Sequence, residues 1–195
     1  MEKIIVDSKE ELREIIKYSP VDADLNHIDV SRITDMSKLF QNTEFNGDIS
    51  NWDTSKVETM SEMFYNSYFN KDISNWNVEN VKNMSQMFYK SAFNKNISKW
   101  NVSKVEDMSG MFERSRFNKD LSNWNVSNVK DMSGMFNCSN FTKDMFGIFN
   151  RSNFSKDISN WNVSITTNFV DMFEGSPLED KIKIKVKKNF TSCLN

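Results

Sequence analysis

One histidine, His27, and two cysteines, Cys138 and Cys193, are all the imidazole and thiol chemistry that this 195-residue chain holds. A single imidazole cannot supply paired ligands to a zinc ion, and it has no second histidine with which to pass a proton. His27 stands between Leu25 and Ile28 in the first apolar segment, which points to a surface or hydrogen-bonded structural role. Two cysteines are too few for a disulfide framework. The loop around Cys138 shows no base beside it that would favour a thiolate. Aspartates recur at 48, 72, 120, 144 and 157. Their spacing stacks them in a column of turn caps, not in a cleft where an acid faces a base. No glycine-rich phosphate loop, serine elbow or Cys-x-x-Cys pattern occurs. The expectation is therefore no catalytic residue, no metal and no cofactor.

The spacing that stacks the aspartates runs through the whole chain. Trp52, Trp76, Trp100 and Trp124 stand 24 residues apart, and the string Ile-Ser-Asn-Trp or a close variant surrounds each. Downstream come Val57, Val81, Val105 and Val129, then Met-Ser-x-Met-Phe at 60–64, 84–88, 108–112 and 132–136. An earlier unit keeps the register with Leu25, Ile28, Val30, Ile33, Met36, Leu39, Phe40 and Phe45. A period of this length marks a stack of supersecondary units, none of which buries its apolar face alone. The composition agrees. There are 16 Phe, 12 Met and 5 Trp but only 5 Gly and 2 Pro, so Asn and Ser must make the turns.

The pattern Ile-x-x-Trp-x-Val predicts a short strand with one face buried. Met-Ser-x-Met-Phe, with Asp or Asn before it at 35, 83, 107 and 131, predicts an N-cap and one helical turn. The fold class expected is an α/β solenoid: a leucine-rich-repeat-like right-handed coil with one short strand and one helical turn per 24-residue unit. Residues 1–24 would form an N-terminal strand-helix cap, with the capping box Ser8-Lys9-Glu10-Glu11 opening a helix through Lys17 on an apolar face of Leu12, Ile15 and Ile16. Residues 25–176 would form the solenoid, with units starting near 25, 49, 73, 97, 121 and 158. Residues 177–195 would form a capping strand and tail, where Ile182, Ile184 and Val186 alternate with edge-guarding lysines. Trp161 follows Trp124 by 37 residues, and a 13-residue half-unit is duplicated in between. A bulge is expected near 141–154.

The phrases Asp24-Leu25-Asn26-His27-Ile28-Asp29-Val30-Ser31 and Phe45-Asn46-Gly47-Asp48-Ile49-Ser50-Asn51-Trp52 resemble the BspA-like leucine-rich-repeat family of bacterial surface proteins and lipoproteins. The resemblance covers about 25 to 176. It implies binding or adhesion at a cell surface, and no shared catalytic residues.

In a solenoid, equivalent positions become neighbours, so surfaces are read as columns. Tyr65, Tyr68 and Tyr89 fall together just after the turns of two successive units, with Arg114 and Arg116 next along the flank. Tyr and Arg are the residue types that dominate interface hot spots, so this flank is the candidate partner surface. Lys71, Lys95, Lys119 and Lys143 form a same-sign stripe beside the aspartate column. Local neutralisation is one reading, and anion binding, including a nucleic-acid backbone, is the other. The column Glu58, Lys82, Glu106, Lys130 alternates in sign and predicts ion pairs between units. Asn77, Asn101, Asn125 and Asn162, with Asn51, Asn75, Asn123 and Asn160, suggest a hydrogen-bonded ladder on the concave face or a polar surface for glycans or peptides.

The net charge of −2 gives no overall pull toward nucleic acid or anionic lipid. No apolar run has the roughly 18 residues of a membrane helix, and no signal peptide is visible. These features predict a monomeric cytoplasmic protein that inserts in no membrane, with the cell surface as the alternative. The function expected is a protein-interaction module, for instance an inhibitor or adaptor encoded by a phage or mobile element. A surface adhesin and a nucleic-acid binder are the alternatives.

Overall fold

The computed structural model describes residues 3–138, 156–158, 160–164 and 166–174. The expected capping strand in 177–195, the bulge near 141–154, Lys143 and Cys193 lie outside the described residues.

The chain opens with β1 (Ile4–Ile5) and α1 (Lys9–Tyr18), and β1 pairs in parallel with β2 (Ile28–Asp29). Ser8 caps α1 by accepting from the Glu11 N–H at 3.2 Å, while the Glu11 carboxylate accepts from the Asp7 N–H at 3.1 Å. Two otherwise orphaned donors are satisfied at the helix start. Leu12 and Ile16 are buried against the first unit and Ile15 is partly buried.

Beyond the cap the chain stacks 24-residue units, joined by parallel bridges Asp35↔Thr59, Thr59↔Asn83, Asn83↔Asp107 and Asp107↔Asp131. The bridges sit at the residue just before Met-Ser-x-Met-Phe, and the ladder of hydrogen bonds continues through that segment, where a helical turn was expected. Met60, Glu62, Phe64 and Asn66 donate their N–H groups to Asn83, Ser85, Met87 and Tyr89 of the next unit, at 2.7–2.9 Å. Two linked turns shape the segment, closed by Met63 N–H to Met60 O and Tyr65 N–H to Glu62 O.

Left-handed backbone is what prevents a helix there. Lys38, Glu62, Gln86, Gly110, Gly134 and Asp171 have φ of 53–62°, a conformation costing a non-glycine residue about 1–2 kcal/mol. Pairing with the next unit and complete burial of Met60, Met63 and Phe64 offset that cost. The Asp and Asn expected as helix caps make Asx turns instead: Asp35, Asn83, Asp107 and Asp131 accept from the N–H of the serine two residues on, at 2.7–2.9 Å.

The Ile-x-x-Trp segment, expected as the strand, is also a turn, with Trp52, Trp76, Trp100 and Trp124 N–H groups bonded three residues back. Apart from the first pair of units, where the Leu25 N–H donates to Asp48 O at 2.9 Å, its inter-unit link is made by side chains. Each indole N–H donates to a carbonyl of the preceding unit: Trp52 to Leu25, Trp76 to Ile49, Trp100 to Ile73 and Trp124 to Ile97, at 2.9–3.1 Å. The units also spread on this side. Phe40, Phe64, Phe88, Phe112 and Phe136 stack at 5.3–5.7 Å, while Trp52–Trp76 and Phe69–Phe93 stand 6.3 Å apart. The stack therefore narrows toward the Met-Ser-x-Met-Phe ladder and widens at the tryptophans, the reverse of the concave face expected for the Trp segment.

The register survives the extra 13 residues before Trp161. Its indole donates to Leu121 O at 2.9 Å, and the Met132, Gly134 and Phe136 N–H groups reach Asn168, Val170 and Met172. These partners lie 36 or 40 residues apart, where the other units show 23 and 27.

Candidate binding surfaces

The column that gathers tyrosine in the sequence does gather it in space. Tyr65 and Tyr89 stack with centroids 4.6 Å apart and planes 9° from parallel. The residues that follow them, Asn66 and Lys90, are left-handed, and the Lys90 ammonium lies 5.4 Å from the Tyr89 ring. Burial pushes the Tyr89 hydroxyl pKa up, with the Glu113 charge adding to it. Tyr68 stacks on neither ring and is 67% exposed. Arg114 and Arg116 are both exposed. Arg114 reaches Glu113 loosely, at 3.8 Å.

Glu113 occupies the tyrosine column in the next unit and folds over two glycines. Its Oε2 lies 3.4 and 3.3 Å from where side chains on Gly110 and Gly134 would begin. Burial pushes its carboxyl above the usual range, and Arg114 and Lys90 pull it partly back. Burial likewise raises the Cys138 thiol, against the opposing pull of Arg114. This guanidinium comes from the preceding unit, which is why the loop around Cys138 gave no sign of it.

On the next stretch of the coil the lysine stripe meets a concavity. Asn70, Lys71, Asp72, Lys95, Asn96 and Lys99 line it, with Ser74 and Asn75. Lys99 belongs to no lysine column and was missed in the sequence. Lys119 is not among the lining residues. Gly47 holds the lysine position in the unit nearest the cap. A side chain there would begin 2.0 Å from the Ala23 carbonyl oxygen, because Asn46 and Asp48 donate to Val21 and Ala23. The stripe can therefore start only at Lys71.

The asparagine ladder runs in a different column from the two expected, five residues before the one that holds Asn75 and Asn123. Asn77, Asn101 and Asn125 close Asx turns on Glu79, Ser103 and Ser127. Side-chain oxygens of Asn46, Asn70 and Asn94 instead accept from the N–H groups of Asn70, Asn94 and Asn118 at 2.9–3.0 Å. The alternating charge column pairs as Lys82–Glu58 at 2.9 Å and Lys130–Glu106 at 2.5 Å. His27 is exposed and its carbonyl accepts from Ile4. Among the described residues no cluster of His, Cys, Asp or Glu could hold a metal ion, and no helix is long and apolar enough to cross a membrane.

A chain whose backbone and side chains repeat their bonds every 24 residues is a tandem-repeat protein, and the comparisons place it in a family. The model described as "Mycoplasma protein of unknown function, DUF285" matches residues 10–115, 89–147 and 139–188. The chain belongs to this family. No curated protein matches it, and no solved structure does.

Proposed function

We propose that the chain is a repeat solenoid serving as a non-enzymatic protein-interaction module, with the flank of Tyr65, Tyr68, Tyr89, Arg114 and Arg116 as its partner surface. The observation that carries this reading is the Tyr65–Tyr89 stack at 4.6 Å, followed at once by the exposed Tyr68. A stacked pair is already ordered, so docking against it costs little side-chain entropy. The aspartates at 48, 72 and 120 support a non-catalytic role, since each accepts from the serine N–H two residues on, at 2.9 Å.

Two settings fit such a module. One is an intracellular adaptor or inhibitor encoded by a phage or mobile element. The other is an adhesin-like surface protein, favoured by the likeness of the 45–52 phrase to BspA-like repeats. Fractionation of native cells separates them, because recovery only at the surface excludes the intracellular setting. The partner surface is tested by affinity purification from the source cells with wild type and with Tyr65, Tyr68 and Tyr89 all changed to Ala. The triple variant should lose the partner. Equal recovery by both proteins refutes the proposed surface.

A further inference from the structure

The concavity holding Lys71, Lys95 and Lys99 departs from the rest of the stack in a way the fold does not require. The residue before the Ile-Ser or Leu-Ser pair is Asp48, Asp72, Asp120 or Asp157 in the other units and Asn96 here. The residue before the tryptophan is Asn51, Asn75, Asn123 or Asn160 elsewhere and Lys99 here. Asn96 still makes the turn, its side-chain oxygen accepting from Ser98 N–H at 3.0 Å, as Asp72 does from Ser74 at 2.9 Å. The turn needs only that oxygen, so loss of the negative charge has no local structural purpose. Both exchanges move charge in the same direction and both line the same concavity. Its lining carries three lysines against one aspartate. With the residues used by the other units it would carry two of each and be neutral.

None of Lys71, Lys95 and Lys99 forms an ion pair with a described residue. The remaining lining groups are amides and a hydroxyl, from Asn46, Asn70, Ser74, Asn75 and Asn96, which both donate and accept hydrogen bonds. No aromatic ring lines the concavity. A nucleic-acid strand would find no surface on which to stack a base. Nor would an apolar peptide side chain find a pocket.

We infer that this concavity binds an acidic glycan, a polysaccharide bearing sulfate or carboxylate groups. The lysines meet its charges, and the asparagine and serine groups meet its hydroxyls. The inference does not rest on the tyrosine flank.

The test is binding of the full chain to heparin, with neutral dextran, poly-glutamate and single-stranded oligo(dT) as competitors at low salt. The key variant, Asn96→Asp/Lys99→Asn, adopts the residues of the other units, and its urea midpoint should match wild type. Its affinity for heparin should fall at least about tenfold, as expected for lost charge-assisted hydrogen bonds. Lys119→Ala, outside the concavity, should bind as wild type. Should the double variant unfold, Lys95→Ala/Lys99→Ala is read in its place. The inference is overturned by any of four results: no heparin binding by wild type, unchanged affinity in the variant read, an equal loss in Lys119→Ala, or tighter binding of oligo(dT) or poly-glutamate than of heparin.

Discussion

The Trp76 indole N–H donates to the Ile49 carbonyl oxygen at 3.1 Å, tying two units together on the side opposite the backbone ladder. Trp76 is 3% exposed, so the bond is made out of water, where leaving it unmade is costly. Trp76→Phe keeps an aromatic ring in the column and removes the donor. The Ile49 carbonyl retains only the longer bond from Trp52 N–H, at 3.3 Å. Urea unfolding should show a loss of about 1–3 kcal/mol. Trp76→Ala should lose more, about 3–5 kcal/mol. No loss in Trp76→Phe beside a large loss in Trp76→Ala would mean that packing alone accounts for the tryptophan column.

Gly47 is fixed by close approach and not by a left-handed backbone. Its missing side chain would meet Ala23 O at 2.0 Å and Ala23 C at 2.9 Å, both backbone atoms that cannot rotate away. Gly47→Ala should destabilise the protein by at least about 1–3 kcal/mol, the usual cost of overpacking. Thermal melts followed by circular dichroism will measure this. An unchanged melting temperature would show that the 21–23 segment moves freely away from the first units.

Acid should unfold the protein through its turn carboxylates. Hydrogen bonds from Ser50, Ser55 and Ser122 hold Asp48, Asp53 and Asp120 below the usual carboxylate range. At Asp35 burial works upward, but bonds from Lys9 and Ser37 outweigh it and the result is again downward. Groups depressed in the folded state stabilise it fully above the unfolded value, near 4. That contribution is lost as the pH falls through the lower folded values. Urea midpoints should therefore drop between about pH 4 and pH 2. A midpoint that stays flat over that window is the contrary result.

Glu113 has the opposite sign. Burial raises its carboxyl, so its favourable contribution is present below the unfolded value and disappears as the pH rises through the folded one. Glu113→Gln should raise the urea midpoint at pH 7, and the gain should shrink toward pH 4. Destabilisation by this variant at pH 7 would mean that the 3.8 Å contact with Arg114 outweighs burial.

Fold and partner binding should separate at the tyrosines. Tyr68, 67% exposed, should change to Ala with no measurable loss of stability. Tyr89→Ala breaks the stack with Tyr65 and should lose about 0.5–1.5 kcal/mol beyond the area effect. Side-by-side melts of the two variants check this, and they also show which one can be read cleanly in binding experiments.

The sequence by itself determined which residues would meet. A 24-residue period places Tyr65 against Tyr89 and Lys82 against Glu58 before any coordinate is known, because stacked identical units put equivalent positions side by side. It also gave the cap: Ser8 and Glu11 announce α1, and the helix runs from Lys9 to Tyr18. Only the tertiary structure decided where the backbone pairs. The Trp and Met segments are equally apolar, so apolar spacing cannot tell which carries the ladder. The deciding feature is left-handed backbone at Lys38, Glu62 and Gln86, residue types with no preference for it. Stacking alone makes that conformation worthwhile, by giving Met60, Glu62, Phe64 and Asn66 partners in the next unit. The same holds for the surfaces. Asn96 and Lys99 are visible in the sequence as two departures from the repeat, but their sharing one concavity with Lys71 and Lys95 is a fact of the folded coil. So is the approach of Arg114 to Cys138, which are 24 residues apart and adjacent only because one unit lies on the next.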